Sequence, residues 1–364
     1  MPNPTAITTE NNPYSALTKL NWMRIVLFML SGLGMMILFL TELSIGSVSL
    51  SFSEILQALF GTGEQQAIHE KIIYQLRLPR TLAAVLGGAA LGAAGLQLQT
   101  LFRNPLADSW SLGLMAGSQL GVALVVATTA VVGSAVLEKL AFLGHLGIVA
   151  GSSLGCLLIL GLMISISRYV STITLLIFGL MLGFLAQGLI SVVLHFTNVA
   201  QGKVFAGWND GSFAGVYWEH FPVLVPLVLA GLILSIVMVK PLNALLLGEQ
   251  YAGSLGMNVK RSRLIIMASA VLLAAPVTAY CGPILFLGLV VPHLCRGLFN
   301  TSDHKILMPG VMLIGACIAM AADLIVNLPW DRHFLHLNAV NALIGAPVVM
   351  WVILRNKSLR SFRI

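Results

Sequence analysis

Few residues in this chain have the types and spacing that chemistry requires. The sequence contains no GxxxxGK[ST] phosphate loop, no HExxH, no GxSxG and no group of His, Cys and carboxylate at metal-ligand spacing. Asp323, in ACIAMAADLIVN, is the acidic residue that lies well inside an apolar run, where an ionisable group is a candidate proton site or ion-pair partner. One carboxylate makes a poor proton relay, so we favour a structural pairing role and predict neither a catalytic residue nor a metal site.

A polar, glycine-containing segment, GEQYAGSLGMNVKRSR at 248–263, separates two apolar runs. Pro241 ends the preceding run and suits the first turn of a new helix. Gly256 can adopt the left-handed conformation that ends a helix, and Asn258 can cap the next one. We therefore expect two short helices at a sharp angle, ordered enough to dock a partner. The side chains expected to face outward are Glu249, Gln250 and Tyr251.

The composition defines the elements that must position these residues. The chain of 364 residues is 58% hydrophobic and 9% charged, whereas soluble domains carry about 25% charged residues. We therefore predict an all-α, polytopic integral membrane protein. The net charge of +7 comes from Lys and Arg residues scattered at the ends of apolar runs, so no basic face for nucleic acid is expected.

Ten apolar runs are long enough to span a bilayer. Prolines and Gly282 separate the seventh from the eighth, so one of these two is expected to be broken or kinked. Together the runs form a predicted transmembrane domain at 24–355, with a tail at 1–23 before it and a tail at 356–364 after it. The predicted spans are 24–43, 81–102, 111–132, 142–167, 172–197, 221–240, 263–278, 282–298, 306–326 and 339–355.

The basic residues predict the orientation. An even number of spans places both termini on one side, and most of the twenty Lys and Arg residues fall inside if that side is the cytoplasm. The segment at 248–263 is then cytoplasmic as well, and Lys260, Arg261 and Arg263 are expected at the level of the lipid headgroups.

Glycines spaced by four residues recur in several spans, and this spacing puts each set on one helix face. Missing side chains let helix backbones approach closely, so we expect tight packing within the chain, with a subunit interface as the alternative. The sets are Gly88 and Gly92; Gly113, Gly117 and Gly121; Gly147, Gly151 and Gly155; and Gly179 and Gly183.

Several motifs, in order along nearly the whole chain after the first residues, resemble permease subunits of ATP-binding-cassette (ABC) importers of ferric siderophores, haem and cobalamin. One departure is HLNAV at 336–340, where many relatives have a Glu-Leu-Pro-hydrophobe-Gly string, and it weakens inference about docking in that loop. The matching segments are RLPRTLAAVLGGAALGAAGLQLQTLFRNPLADSWSLGLMAGSQLG at 77–121, GEQYAGSLGMNVKRSR at 248–263, GPILFLGLVVPHLCRGLF at 282–299, SDHKILMPG at 302–310 and NALIGAPVVMWVILR at 341–355.

The resemblance implies a permease dimer, formed with a second copy or a homologous permease, two cytoplasmic ATPase subunits and a periplasmic binding protein. Segment 241–262 then forms the coupling helices that enter a cleft on the ATPase. ATP and Mg²⁺ would belong to that ATPase, so this chain is expected to hold no cofactor and to be a transport subunit rather than an enzyme. The residues implied in coupling are Gly248, Glu249, Ala252, Leu255 and Gly256.

Arg77 and Arg80 stand at the outer start of the second span, where the positive helix end is mildly unfavourable for basic side chains. The resemblance implies that acidic residues of the binding protein pair with them. Pairing with lipid phosphate or a neighbouring loop is the alternative.

Two short cytoplasmic turns resemble the inner gates of the family, although turn and capping chemistry would also explain their composition. A family signature near the inner end of the eighth span contains His293 and Arg296, for which the residues themselves support only a kink and an interfacial anchor. The gate candidates are Asn104, Pro105, Asp108, Ser171 and Thr172.

The function implied by this resemblance is import of an iron chelate, first of all a ferric siderophore, from periplasm to cytoplasm across the inner membrane. Haem and cobalamin are the alternative cargoes. A stand-alone ion-coupled carrier is the alternative of another class, and it would require several intramembrane acids or broken helices around an ion site.

Overall fold

The computed structural model describes residues 13–46, 54, 66–110, 112–132, 141–167, 169–328 and 335–355. The predicted tail at 356–364 and the first twelve residues lie outside them. Within this part of the chain all regular structure is helical. The helices are α1 (Pro13–Ser44), α2 (Gln66–Lys71), a π-helical turn (Ile72–Arg77), α3 (Leu78–Leu101), α4 (Leu114–Val132), α5 (Ala141–Ser167), α6 (Thr172–His195), α7 (Val199–Asn209), a 3₁₀ turn (Trp218–His220), α8 (Phe221–Val237), α9 (Val239–Leu246), α10 (Glu249–Ser254), α11 (Val259–Cys281), α12 (Leu287–Phe299), α13 (His304–Asn327) and α14 (Leu337–Arg355).

The helix lengths confirm a polytopic membrane protein. In the described part of the chain, seven helical stretches are long and apolar enough to cross a bilayer, and α4, α12 and α14 are shorter apolar helices. These ten correspond in order to the ten predicted spans. The first helix begins at Pro13, so residues 13–23 continue it toward the N-terminus.

Helix α3 forms the centre of the bundle and packs against α11, α12 and α13. Its buried face consists largely of Ala and Gly, and close backbone contacts explain this composition. A Cβ on Gly88 would lie 2.2 Å from the Gly315 carbonyl oxygen, and a Cβ on Gly155 would lie 2.0 Å from that of Gly117. The glycine spacing therefore serves packing within the chain, as predicted, because only glycine permits such contacts between helices.

The break predicted between the seventh and eighth spans lies at 282–286. Helix α11 continues through Pro276 to Cys281, and the chain then turns at Gly282 (φ +73°) and Phe286 (φ +67°). The Asn338 side chain accepts from the Leu285 N–H at 3.0 Å and donates to the Pro283 carbonyl at 2.7 Å. These bonds satisfy backbone groups that a broken helix leaves open. The 13 residues of α12 rise only about 20 Å, less than the hydrocarbon thickness of about 30 Å.

Helix α7 was not predicted from the apolar pattern, because it is short and mixed in polarity. Its start carries a local signal, since Asn198 accepts from the Gln201 N–H while the Gln201 side chain accepts from the Asn198 N–H. This reciprocal pair is a capping box, with Asn in place of Ser or Thr. Trp208 near its end donates to the Ala279 carbonyl and ties α7 to α11.

Candidate functional site

The polar segment after the sixth span folds into the two short helices α9 and α10. Gly248 joins them with φ +121°, and Gly256 ends α10 with φ +82°, both in a region that side chains other than glycine avoid. The Asn258 side chain then accepts an N–H from the first turn of α11 at 3.0 Å, as its capping pattern predicts. The break at Gly248 itself was not predicted.

These helices carry an exposed apolar patch, which we call the coupling surface. It consists of Leu246, Leu247, Tyr251 and Leu255, of which Leu247 is 66% and Leu255 is 62% exposed. The opposite side is anchored, since Ala252 is fully buried. Four large side chains left exposed beside polar residues have the composition expected of a surface for a partner protein.

Glu249, whose side chain is 38% exposed, faces outward only in part and joins the coupling helices to the turn before α6. Its Oε1 accepts from the Thr172 hydroxyl at 2.6 Å and from Arg263 Nη2 at 3.0 Å. Arg263 also donates to the Thr172 hydroxyl at 2.8 Å and to the Ser167 carbonyl at 2.9 Å. The expectation of Arg263 at the headgroups is wrong, because it is 9% exposed and directed into the protein. A coupling candidate and a gate candidate are thus in direct contact.

The charge of Glu249 is stabilised at this junction. Partial burial alone would raise the pKa of the carboxyl, but the Thr172 hydroxyl, the charge and N–H groups of Arg263 and the charge of Arg103 outweigh it. The pKa of Glu249 is therefore lowered from its ordinary 4.5, and the ion pair persists at neutral pH.

The second predicted gate turn, at 102–110, also contacts the coupling helices. Arg103 donates to the Leu245 carbonyl at 3.1 Å, and a Cβ on Gly248 would lie 2.9 Å from the same guanidinium, so glycine permits this approach. Within the turn, the Asn104 side chain accepts from the Leu106 N–H at 2.9 Å. Asp108 lies beside α12, with its Cβ 3.7 Å from the position of a Cβ on Gly288. Both gate turns are thus tied to the segment at 239–254.

His293 and Arg296 hold α12 against the rest of the bundle. His293 Nε2 donates to the Pro105 carbonyl at 2.9 Å. Arg296 donates to the Gln99 side chain at 2.7 Å, and Gln99 in turn donates to the Leu289 carbonyl at 3.1 Å. These contacts are structural ties between α12, α3 and the predicted gate turn at 102–110.

Arg77 and Arg80 lie at the opposite end of the bundle and bind groups within the chain. Arg77 is 9% exposed and donates to the Leu43 and Ser44 carbonyls at the end of α1. Arg80 donates to both Asp323 oxygens, at 2.6 and 2.9 Å. Both side chains thus have partners on neighbouring helices, rather than the lipid phosphate or neighbouring loop given as the alternative, and pairing with a binding protein stays a prediction. The pairing role favoured for Asp323 is confirmed.

Comparison with known proteins identifies the family. Residues 34–355 match the model of the FecCD transport family. The chain belongs to the FecCD transport family. The resemblance predicted from the motifs is thereby confirmed, and this FecCD permease is a transport component.

Individual relatives and one solved structure agree with this family assignment. The hemin transport system permease protein HmuU of Yersinia pestis is 33% identical over 330 residues, covering 90% of this chain and 95% of HmuU. The vitamin B12 import system permease protein BtuC of Klebsiella pneumoniae is 36% identical over 285 residues, covering 78% of this chain and 83% of BtuC. A solved structure, described provisionally as a metal-chelate type ABC transporter in an inward-facing conformation, matches with a TM-score of 0.78 and 27% identity over 91% of this chain and 99% of that one.

One polar cluster of this FecCD permease was missed in the sequence. Asn243 of α9 accepts from His304 Nδ1 at 2.7 Å and donates to Asp303 at 2.6 Å, while His304 Nε2 lies 2.8 Å from the Thr100 hydroxyl. The cluster joins the coupling helices to α3 and α13. Its only local signal is Asn243 in an otherwise apolar turn, followed much later by Asp303 as a helix cap.

Proposed function

We propose that this chain is the membrane permease subunit of an ABC importer that moves an iron chelate from periplasm to cytoplasm. The main support for this proposal is the coupling surface, an exposed apolar patch on two short helices. Hydrogen bonds join these helices to both predicted gate turns. A partner that displaces the coupling surface would move both predicted gate turns with it.

The bonds suggest how the movement passes inward. Glu249 receives the Thr172 hydroxyl and the Arg263 guanidinium together, so α10, α11 and the start of α6 form one bonded unit. Arg103 donates to the Leu245 carbonyl and thereby joins the turn at 102–110 to α9. Because charge-assisted bonds are stronger than neutral ones, we expect these contacts to survive movement of the helices.

The partners follow from the same proposal. Two ATPase subunits would bind ATP and Mg²⁺ and seat the coupling surface, which places α9 and α10 in the cytoplasm together with both termini. A second copy of the chain or a homologous permease would complete the pathway. A periplasmic binding protein would deliver the cargo. The inner membrane is the expected location, since the relatives named above are bacterial import permeases.

Ferric siderophore is the first cargo we propose, on the motif resemblance. Haem and cobalamin are the alternatives, and the relatives named for hemin and vitamin B12 transport support them.

The test measures uptake of radiolabelled ferric siderophore, haem and cobalamin in cells that lack their own permeases and receive this chain with its ATPase and binding protein. Leu255→Asp should abolish uptake of the one accepted cargo without loss of folded permease, because Leu255 is exposed. Lys305→Asp places the same residue at an exposed position in the first turn of α13 and serves as the matched control. Uptake that persists without the ATPase would instead show a stand-alone ion-coupled carrier.

A further inference from the structure

A second buried acid lies beside the Arg80–Asp323 ion pair. Glu42, at the end of α1, is 3% exposed, and neither of its carboxyl oxygens has a hydrogen-bond partner among the described residues. The Glu42 carboxyl nevertheless faces Asp323, Thr81 and Arg80. The sequence pattern did not reveal it, because Glu42 stands at the edge of the first apolar run.

The hydrogen bonds described around this site run to Asp323 or to a backbone carbonyl. Arg80 donates to Asp323 from Nε and Nη2, and Asn327 also donates to Asp323 at 3.1 Å. The Thr81 hydroxyl donates to the Arg77 carbonyl at 2.9 Å, and with that bond formed it offers Glu42 only an acceptor. A carboxylate at this position would thus face acceptors, whereas a carboxylic acid would face two groups able to receive its proton.

The charges lead to the same conclusion. Two carboxyl groups, Glu42 and Asp323, meet one cation, Arg80, in a site from which water is largely excluded. Cys281 of α11 also lies near Asp323 and is buried. A buried anion without its own cation or donors is strongly disfavoured. One proton shared by the two carboxyls makes the group neutral, as in other close carboxyl pairs.

We propose that Glu42 and Asp323 form a proton-binding site between α1, α3 and α13, in which Glu42 is a carboxylic acid that donates to the Asp323 carboxylate. The Arg80 side chain is 20% exposed, so the cluster reaches the surface of the protein. The proton holds the end of α1 against α13 at the face remote from the coupling surface. A single intramembrane acid made a poor proton site, whereas the folded chain supplies two.

Infrared spectroscopy of the full chain in lipid nanodiscs at pH 7 tests the assignment. The native protein should show the C=O stretching band of a protonated carboxylic acid, and labelling with [¹³C]glutamate should shift that band without any substitution. Glu42→Gln should remove it while leaving the protein folded, since the amide has the same shape and can donate to Asp323. Glu249→Gln, at a partly exposed and ionised glutamate, is the matched control and should leave the band in place.

Each outcome decides the proposal. A band that is present, shifts with labelled glutamate and disappears in Glu42→Gln supports it. Absence of the band, or a band that the glutamate label does not shift, overturns it even if the Glu42→Gln variant does not fold. A melting temperature that rises with Na⁺ at constant ionic strength, without such a band, would mean that the site holds a metal cation and that the proton assignment is wrong.

Discussion

Replacing Gly155 with alanine should separate α4 from α5. The added Cβ would lie 2.0 Å from the Gly117 carbonyl oxygen, whereas real Cβ atoms essentially never approach closer than 3.0 Å. The Gly117 oxygen belongs to the backbone, so no side chain can rotate away. The two helices must therefore move apart locally by about 1 Å, the difference between these two distances.

The cost follows from lost packing. Inserting a methyl group into a closely packed site typically destabilises a protein by about 1–3 kcal/mol. Alanine also favours the helix by about 1 kcal/mol relative to glycine, which offsets part of this cost. Gly161 of the same helix is the matched control, because a Cβ there would meet nothing within 4 Å. Gly161→Ala gains only the higher helix propensity of alanine. The free energies of unfolding of the two variants should therefore differ by the packing cost of about 1–3 kcal/mol.

Thermal unfolding of the purified permease in one detergent measures the difference. We expect Gly155→Ala to melt several degrees below Gly161→Ala, and Gly161→Ala to melt at or slightly above the native chain. If the two variants melt together, the contact between α4 and α5 is not as close as the structure shows, and the explanation of the glycine spacing fails.

Three further results are expected. Thr172→Val removes the hydroxyl that donates to Glu249, a bond of about 1 kcal/mol, so the amount of cargo moved per ATP should fall several-fold. Thr174→Val in the same turn should not change this amount. Equal amounts of cargo per ATP in the two variants would contradict a coupling role for the bond between Thr172 and Glu249. Arg80→Gln leaves the Asp323 carboxylate buried without its cation, a loss of about 3–5 kcal/mol that should reduce the yield of folded protein, and adding Asp323→Asn should restore it. The pKa of Glu249 is lowered in the folded protein, so the stabilisation from its ion pair is complete above about pH 4.5, the ordinary pKa of the carboxyl. This stabilisation disappears as the pH falls through the lowered pKa. The melting advantage of the native chain over Glu249→Gln should therefore shrink in acid, and a constant difference would contradict the ion pair.

The sequence was sufficient for features that depend on neighbouring residues. A run of about 20 apolar residues is itself the condition for spanning a bilayer, so the spans could be predicted without knowing how they pack. Gly256 and Asn258 act on their own helix ends, and their roles were correct. The glycine spacing predicted close packing, since a helix face follows from the sequence interval alone, but it did not identify Gly117 as the partner of Gly155.

The partners of the charged residues were decided only by the tertiary structure. Arg80 and Asp323 are 243 positions apart, and Thr172 and Glu249 are 77 positions apart, so no local pattern predicts either pair. Arg80 was expected to face outward because its sequence neighbours place it at a helix start, yet α13 brings a carboxylate to it. By itself the sequence determined the membrane spans, their order and the family. The hydrogen-bond partners, and hence which charges are free to meet other proteins, depend on helix packing, because polar groups excluded from water must find partners wherever the fold places them.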